Sequence, residues 1–112
     1  MIEASCHCGA VRMEIDTAPE TVTSCHCSIC RKRGVLWAYY APKQVQFIAA
    51  PDATSIYLWN RMALEFHTCK VCGCTTHWAH VDRTYHRMAV NARLMEPEVL
   101  AAAALHEAPD TD

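Results

Sequence analysis

Eight cysteines in 112 residues, set out as two pairs, a triplet and one extra, constrain this chain more than any other feature. The first pair is Cys6-His7-Cys8-Gly9. Side chains at i and i+2 of an extended segment point the same way, so both sulfurs can face one ion, whereas a disulfide between them would be badly strained. The second pair, Cys69-Lys70-Val71-Cys72-Gly73, is a C-x-x-C-G turn of zinc-knuckle type, in which the glycine can take positive φ. Two such pairs supply the four thiolates of a closed tetrahedral structural zinc, and Cys6, Cys8, Cys69 and Cys72 are assigned to it. Free buried cysteines would not need this spacing or the two closing glycines.

The triplet Cys25-His26-Cys27-Ser28-Ile29-Cys30 places three cysteines in one short loop. A site with three protein ligands leaves a fourth coordination position for water or a substrate thiolate, which is what separates catalytic from structural zinc. Soft thiolates favour zinc over magnesium or calcium. Cys25, Cys27 and Cys30 are therefore the candidate catalytic ligands of a second zinc, giving two zinc ions per chain. The alternative is closure of the site by a fourth protein ligand, Cys74, His26 or His77.

The length fits one domain, taken as residues 1–106, with an acidic, frayed tail over 107–112. Ten basic and twelve acidic residues, net charge -2, give no broad electropositive footprint, so nucleic acid is not the expected partner. No apolar run approaches the roughly 18 residues of a spanning helix, so no membrane association is expected. The start at Met1-Ile2-Glu3-Ala4-Ser5 has no basic region followed by an apolar one, which points to the cytoplasm, where cysteines serve metal sooner than disulfides.

Val11, Met13 and Ile15 alternate with polar neighbours in the period of a half-buried strand. Further predicted strands are Val35 to Ala41, Gln44 to Ile48, Ser55 to Trp59, Leu64 to Thr68, Thr75 to His80 and Tyr85 to Ala92, rich in aromatic and β-branched residues. The expected fold is mainly β and antiparallel. Pro97 at a first helical position, followed by the alanine-rich run Val99 to Leu105, predicts one short C-terminal helix.

The segments Cys6-His7-Cys8-Gly9-Ala10-Val11, Cys25-His26-Cys27-Ser28-Ile29-Cys30-Arg31 and Cys69-Lys70-Val71-Cys72-Gly73, in that order, resemble the glutathione-dependent formaldehyde-activating enzyme family, also called the centromere protein V family. Arg87 to Leu94 is similar to the family's late strand. The resemblance implies coiled antiparallel sheets around a structural zinc held by Cys6, Cys8, Cys69 and Cys72, and a second zinc at Cys25, Cys27 and Cys30. It implies a carbon-sulfur lyase that joins glutathione and formaldehyde into S-hydroxymethylglutathione. The chain is compact for that family and carries the extra Cys74, so the substrate can differ.

On this reading a substrate thiol loses its proton at the second zinc and attacks a small carbonyl carbon. Arg31, Lys32 and Arg33 follow Cys30 directly, and Arg31 and Arg33 are the candidates for binding the carboxylates of a glutathione-like thiol. A solvated basic turn is the competing explanation. Trp37, Tyr39, Tyr40, Trp59 and Trp78 can line a pocket beside the open zinc or pack the core. His67, His77, His80 and His86 fall in predicted strands and carry no catalytic assignment. Alternation turns His26 away from the metal, and Asn91 and Arg93 share a face that suits loop carbonyls. The rival function is a non-catalytic zinc module for a protein or nucleic-acid partner. Oligomeric state is left open.

Overall fold

In a computed structural model of the chain, residues 1–109 are described. The chain runs β1 (Ile2–Ser5), β2 (Arg12–Ile15), β3 (Thr21–Cys25), α1 (Ser28–Arg33), β4 (Trp37–Tyr40), β5 (Val45–Ile48), β6 (Thr54–Trp59), β7 (Leu64–Cys69), β8 (Thr75–His80), β9 (Met88–Asn91), α2 (Pro97–Ala102) and β10 (Ala104–Ala108). It is mainly β. Strands β1, β2 and β5 form a small antiparallel sheet, and the other seven form a large one in the order β10-β3-β4-β9-β8-β7-β6.

Register decides what each face of the large sheet carries. Directly opposed residues share a face, and the pairs Trp59↔Leu64, Phe66↔Trp78, Trp78↔Ala89 and Ala89↔Tyr39 run across four strand boundaries. With Trp37 two residues before Tyr39, they give one face an aromatic surface. The pairs His67↔His77, His77↔Val90 and Val90↔Ala38 define the opposite face. That face packs on the small sheet through Ala38, Tyr40, Met88 and Val90 against Met13, Ile15 and Val45. The aromatic face packs under α1 through Trp37, Phe66 and Trp78 with Ile29 and Cys30. Trp37 is 1% exposed, and burying a side chain of that size contributes about 3 kcal/mol.

The expected strands at 11–15, 44–48, 55–59, 64–68 and 75–80 correspond to β2, β5, β6, β7 and β8. The segment from Tyr85 differs, since strand pairing starts only at Met88. Asp82 Oδ1 accepts from the Thr84 amide at 2.9 Å and from its hydroxyl at 2.7 Å, and this side-chain turn holds residues 82–84 out of the ladder. His86 therefore lies in a connection, where it neighbours the Tyr85 ring.

The C-terminal region carries the main correction. Helix α2 stops at Ala102, and Ala104–Ala108 adds to the large sheet parallel to β3, with Leu105 opposite Val22 and Ala108 opposite Cys25. The sheet is thus not wholly antiparallel, and Glu107 and Ala108 belong to a strand where a frayed tail was expected. Pairing to the open edge of β3 satisfies that strand's backbone and outweighs the helix preference of alanine. Asp110, Thr111 and Asp112 lie outside the described residues. No helix among the described residues is long and apolar enough to cross a membrane.

Candidate metal centres and the cleft beside the second

The first cluster joins the turn after β1 to the turn after β7. The Cys6 amide donates to the Val11 carbonyl at 3.0 Å and the Cys69 amide to the Cys74 carbonyl at 2.9 Å, so both turns close in the same way. Gly9 at φ 84° and Gly73 at φ 82° make those turns, in a conformation that strains any side chain. Amides then reach the sulfurs: Val11 N–H donates to Cys6 Sγ at 3.3 Å and Ala10 N–H to Cys8 Sγ at 3.4 Å. The sulfurs of Cys6, Cys8, Cys69 and Cys72 lie within 4.8 Å of one another. Cys8 Sγ is 3.7 Å from Cys6 Sγ and 3.6 Å from Cys69 Sγ. Metal–sulfur bonds of about 2.3 Å in a tetrahedron put sulfurs roughly 3.8 Å apart, so the group fits one thiophilic ion. Backbone amides of Cys74 and Cys8 hold the Cys72 thiol down at about 5, favouring the thiolate that metal binding requires.

Cys74 sits beside this cluster, half-buried and packed with Ala10, Ala53 and Cys72 against Cys6, Val11 and Cys69. It therefore lies with the first cluster and does not complete the second.

The second cluster is built by a strand end and the start of a helix, where the sequence suggested a plain loop. Cys25 closes β3, Cys27 is the N-cap of α1, and Cys30 lies inside that helix. The Cys27 carbonyl accepts from Arg31 N–H at 2.9 Å, and this turn brings residues three apart onto one side. The three sulfurs lie within 4.8 Å of one another, and among the described residues no fourth cysteine, histidine or carboxylate joins them. Trp37 Nε1 donates to Cys30 Sγ at 3.1 Å, which fixes the direction of the most buried sulfur. Burial pushes the Cys30 thiol up even though this indole pulls it down, and burial raises Cys25 as well. A nearby cation would have to supply the charge that stabilises these thiolates.

His26 points outward as alternation predicted, and its ring pairs with Glu107 on β10. Its amide donates to the Ala108 carbonyl at 3.3 Å. Strand β10 thus frames the second cluster, a contribution the sequence did not signal. His77 lies on the opposite face of the sheet, stacked on His67 with ring centroids 4.1 Å apart. Burial lowers its pKa to about 3.

The thiol triplet opens into a cleft of about 290 Å³ whose aromatic wall is Trp37, Tyr39, Trp59, Phe66 and Trp78. Tyr40 is absent from it because it belongs to the other face, where its hydroxyl donates to the Thr17 carbonyl at 2.9 Å. Ile29 and Trp59 also line an adjoining groove of about 300 Å³ that contains Lys32, Arg33 and Tyr57. Arg33 Nη1 donates to Thr68 Oγ1 at 2.7 Å and Thr75 Oγ1 at 3.2 Å, and its guanidinium lies 5.6 Å from the Tyr57 ring centre. Arg31 is exposed and lines neither space. Asn91 is a brace, donating to the Thr75 carbonyl at 2.8 Å and accepting from Arg93 N–H at 3.2 Å.

A family model described as the glutathione-dependent formaldehyde-activating enzyme matches residues 1–107. The chain belongs to that family. A Halomonas elongata protein named provisionally for the same family is 52% identical over 33 residues, which spans 29% of this chain and 21% of that relative. The chain thus aligns with only about a fifth of the length of this curated relative. The crystal structure of a Rhodobacter sphaeroides protein superposes with a TM-score of 0.74 at 24% identity, covering 93% of this chain and 99% of the other. That likeness shows the fold shared by this family member and the solved protein.

Proposed function

We propose that the protein is a zinc-dependent carbon-sulfur lyase acting on the adduct of a small thiol, such as glutathione, and a small aldehyde. The observation that carries this reading is the trio of thiols at Cys25, Cys27 and Cys30, with no fourth ligand among the described residues, at the base of a cleft large enough for a substrate. A zinc ion held there would supply Lewis acidity to the sulfur of an incoming thiol and favour its thiolate. The four-thiol group of Cys6, Cys8, Cys69 and Cys72 would hold the other zinc as a staple between the two turns.

The remaining roles fall to side chains around the cleft. Trp37 orients Cys30, and the aromatic wall would shield one side of the reacting atoms from water. The groove with Lys32 and Arg33 runs alongside and would take the carboxylates of glutathione, Arg33 keeping N–H groups beyond the two bonds it makes to threonines. Lys32 replaces Arg31 in this arrangement. The reading suits a reducing compartment, where the eight thiols stay available for metal.

The test is adduct formation by Cys27→Ser protein that still carries the first metal. We expect a fall of at least about a hundredfold with folding preserved, as for loss of a ligand from a metal-dependent site. Unchanged turnover would remove the triplet from the chemistry.

A further inference from the structure

The cleft above the thiol triplet is far larger than formaldehyde requires, and its walls are mostly aromatic. Five aromatic rings, Trp37, Tyr39, Trp59, Phe66 and Trp78, surround about 290 Å³, with Ile29 and Leu64 between them. A water-sized molecule occupies roughly 30 Å³, and an apolar cavity of about 150 Å³ accepts a benzene ring. Apart from the thiols, the polar groups on the wall are Asn60, the Tyr39 hydroxyl and the indole N–H groups, and no lining residue is charged. The Trp37 N–H is already committed to Cys30. Arg33 opens on the adjoining groove, and Arg87, 3.9 Å from the Tyr39 ring centre, lines a different hollow.

The walls are also set firmly. Trp37 and Phe66 pack with centroids 6.0 Å apart, and Tyr39 meets Trp78 edge-on at 6.3 Å. Trp37 is 1% exposed and Phe66 2%, so the space is part of the packed face and not a gap that side chains would close. A preformed cleft with aromatic walls and no charged lining residue rewards a ligand that stacks a ring on them over one that brings a charge.

We infer that the carbonyl partner taken by this chamber is an uncharged aromatic aldehyde of benzaldehyde size. The inference rests on the thiol and carbonyl chemistry proposed above. In the step itself the thiol sulfur bonds to the carbonyl carbon and the C=O π pair moves to oxygen. The proton lost by the thiol ends on that oxygen, giving a hemithioacetal. Nothing is oxidised or reduced, and no further reactant is needed. The division of space follows: the groove with Lys32 and Arg33 takes the charged part of the thiol, and the aromatic chamber takes the aldehyde's ring.

Two measurements on the zinc-loaded protein test this. First, initial rates of hemithioacetal formation with glutathione, corrected for the uncatalysed reaction, are compared for benzaldehyde, formaldehyde and glyoxylate. Benzaldehyde is expected to exceed both by at least about tenfold in kcat/KM, the discrimination an apolar pocket gives for even small differences in buried surface. Trp59→Ala, at the half-exposed rim, should lower the benzaldehyde-to-formaldehyde ratio several-fold. Equal or better use of formaldehyde or glyoxylate overturns the inference. Second, benzyl alcohol, which cannot form the adduct, is titrated against the same protein by tryptophan fluorescence. Saturable binding that Trp59→Ala weakens at least about fivefold supports the chamber's ligand class even where no aldehyde reacts, and in that event only the lyase reading fails. Absence of saturable benzyl alcohol binding overturns the chamber assignment.

Discussion

Trp37 contributes twice at the second thiol cluster, as a buried wall and as the donor that aims Cys30 Sγ. Trp37→Phe keeps the ring and removes the N–H. It should weaken metal binding at the triplet by about ten- to a hundredfold, the usual cost of losing a supporting hydrogen bond, while the four-thiol cluster is unaffected. Chelator competition followed site by site would check this. His77 makes a different prediction. Its folded pKa of about 3 lies below the ordinary histidine value of 6.5, so between those limits the unfolded chain takes up a proton that the folded one refuses. Stability is therefore complete above the ordinary value and falls as pH drops toward the folded one, by at most about 1.4 kcal/mol per pH unit. Urea midpoints measured against pH should show a shallower acid slope for His77→Gln than for the parent. The difference between the two proteins separates this residue from the protonation of the thiols.

Strand β10 is the element whose removal is most informative. It covers the edge of β3, pairs Ala108 with Cys25, and carries the Glu107 that meets His26. On the proposed loading of both thiol groups, a chain ending at Ala103 should retain metal at the four-thiol cluster and lose it at the triplet, halving the metal per chain by elemental analysis. Retention of both would show that β3 and α1 hold the triplet unaided. This element was also the least legible in the sequence. Ala104-Leu105-His106-Glu107-Ala108 contains good helix formers, and only a partner far away in the chain makes it a strand. Strand β3, Thr21–Cys25, was hidden because TVTSC has little alternation, and α1 because six residues hold under two turns of helical period. The six-residue strands β6, β7 and β8 were long enough for their composition to be recognised. The grouping of the thiols was readable too, since two residues closed by glycine and three within six positions are local patterns. Parity was readable in principle: Trp37 and Tyr39 share a face and Tyr40 cannot, which the expected aromatic pocket overlooked.

For the molecule as a whole, the four-thiol cluster ties the hairpin of β1 and β2 to that of β7 and β8, with Cys8 and Cys69 separated by 61 positions. The two sheets otherwise meet through the core around Met13, Ile15 and Val90 and through Phe47 against the His77 ring. Metal at this cluster should therefore carry a sizeable part of the stability of a domain this small. Stripping it should lower Tm by at least about 10 °C, since roughly 4–8 °C accompany each kcal/mol in a domain near this size. Scanning calorimetry of chelated and zinc-restored protein would measure the change. The distance along the chain between His26 and Glu107, 81 positions, has a temporal meaning. On the ribosome the four-thiol cluster has all its sulfurs once Cys72 has emerged, whereas the triplet waits for β10 before its surroundings are finished. Biosynthesis thus orders when the two neighbourhoods are completed, the four-thiol group before the strand that frames the triplet, so an interrupted product would have the first group whole and the second without its edge.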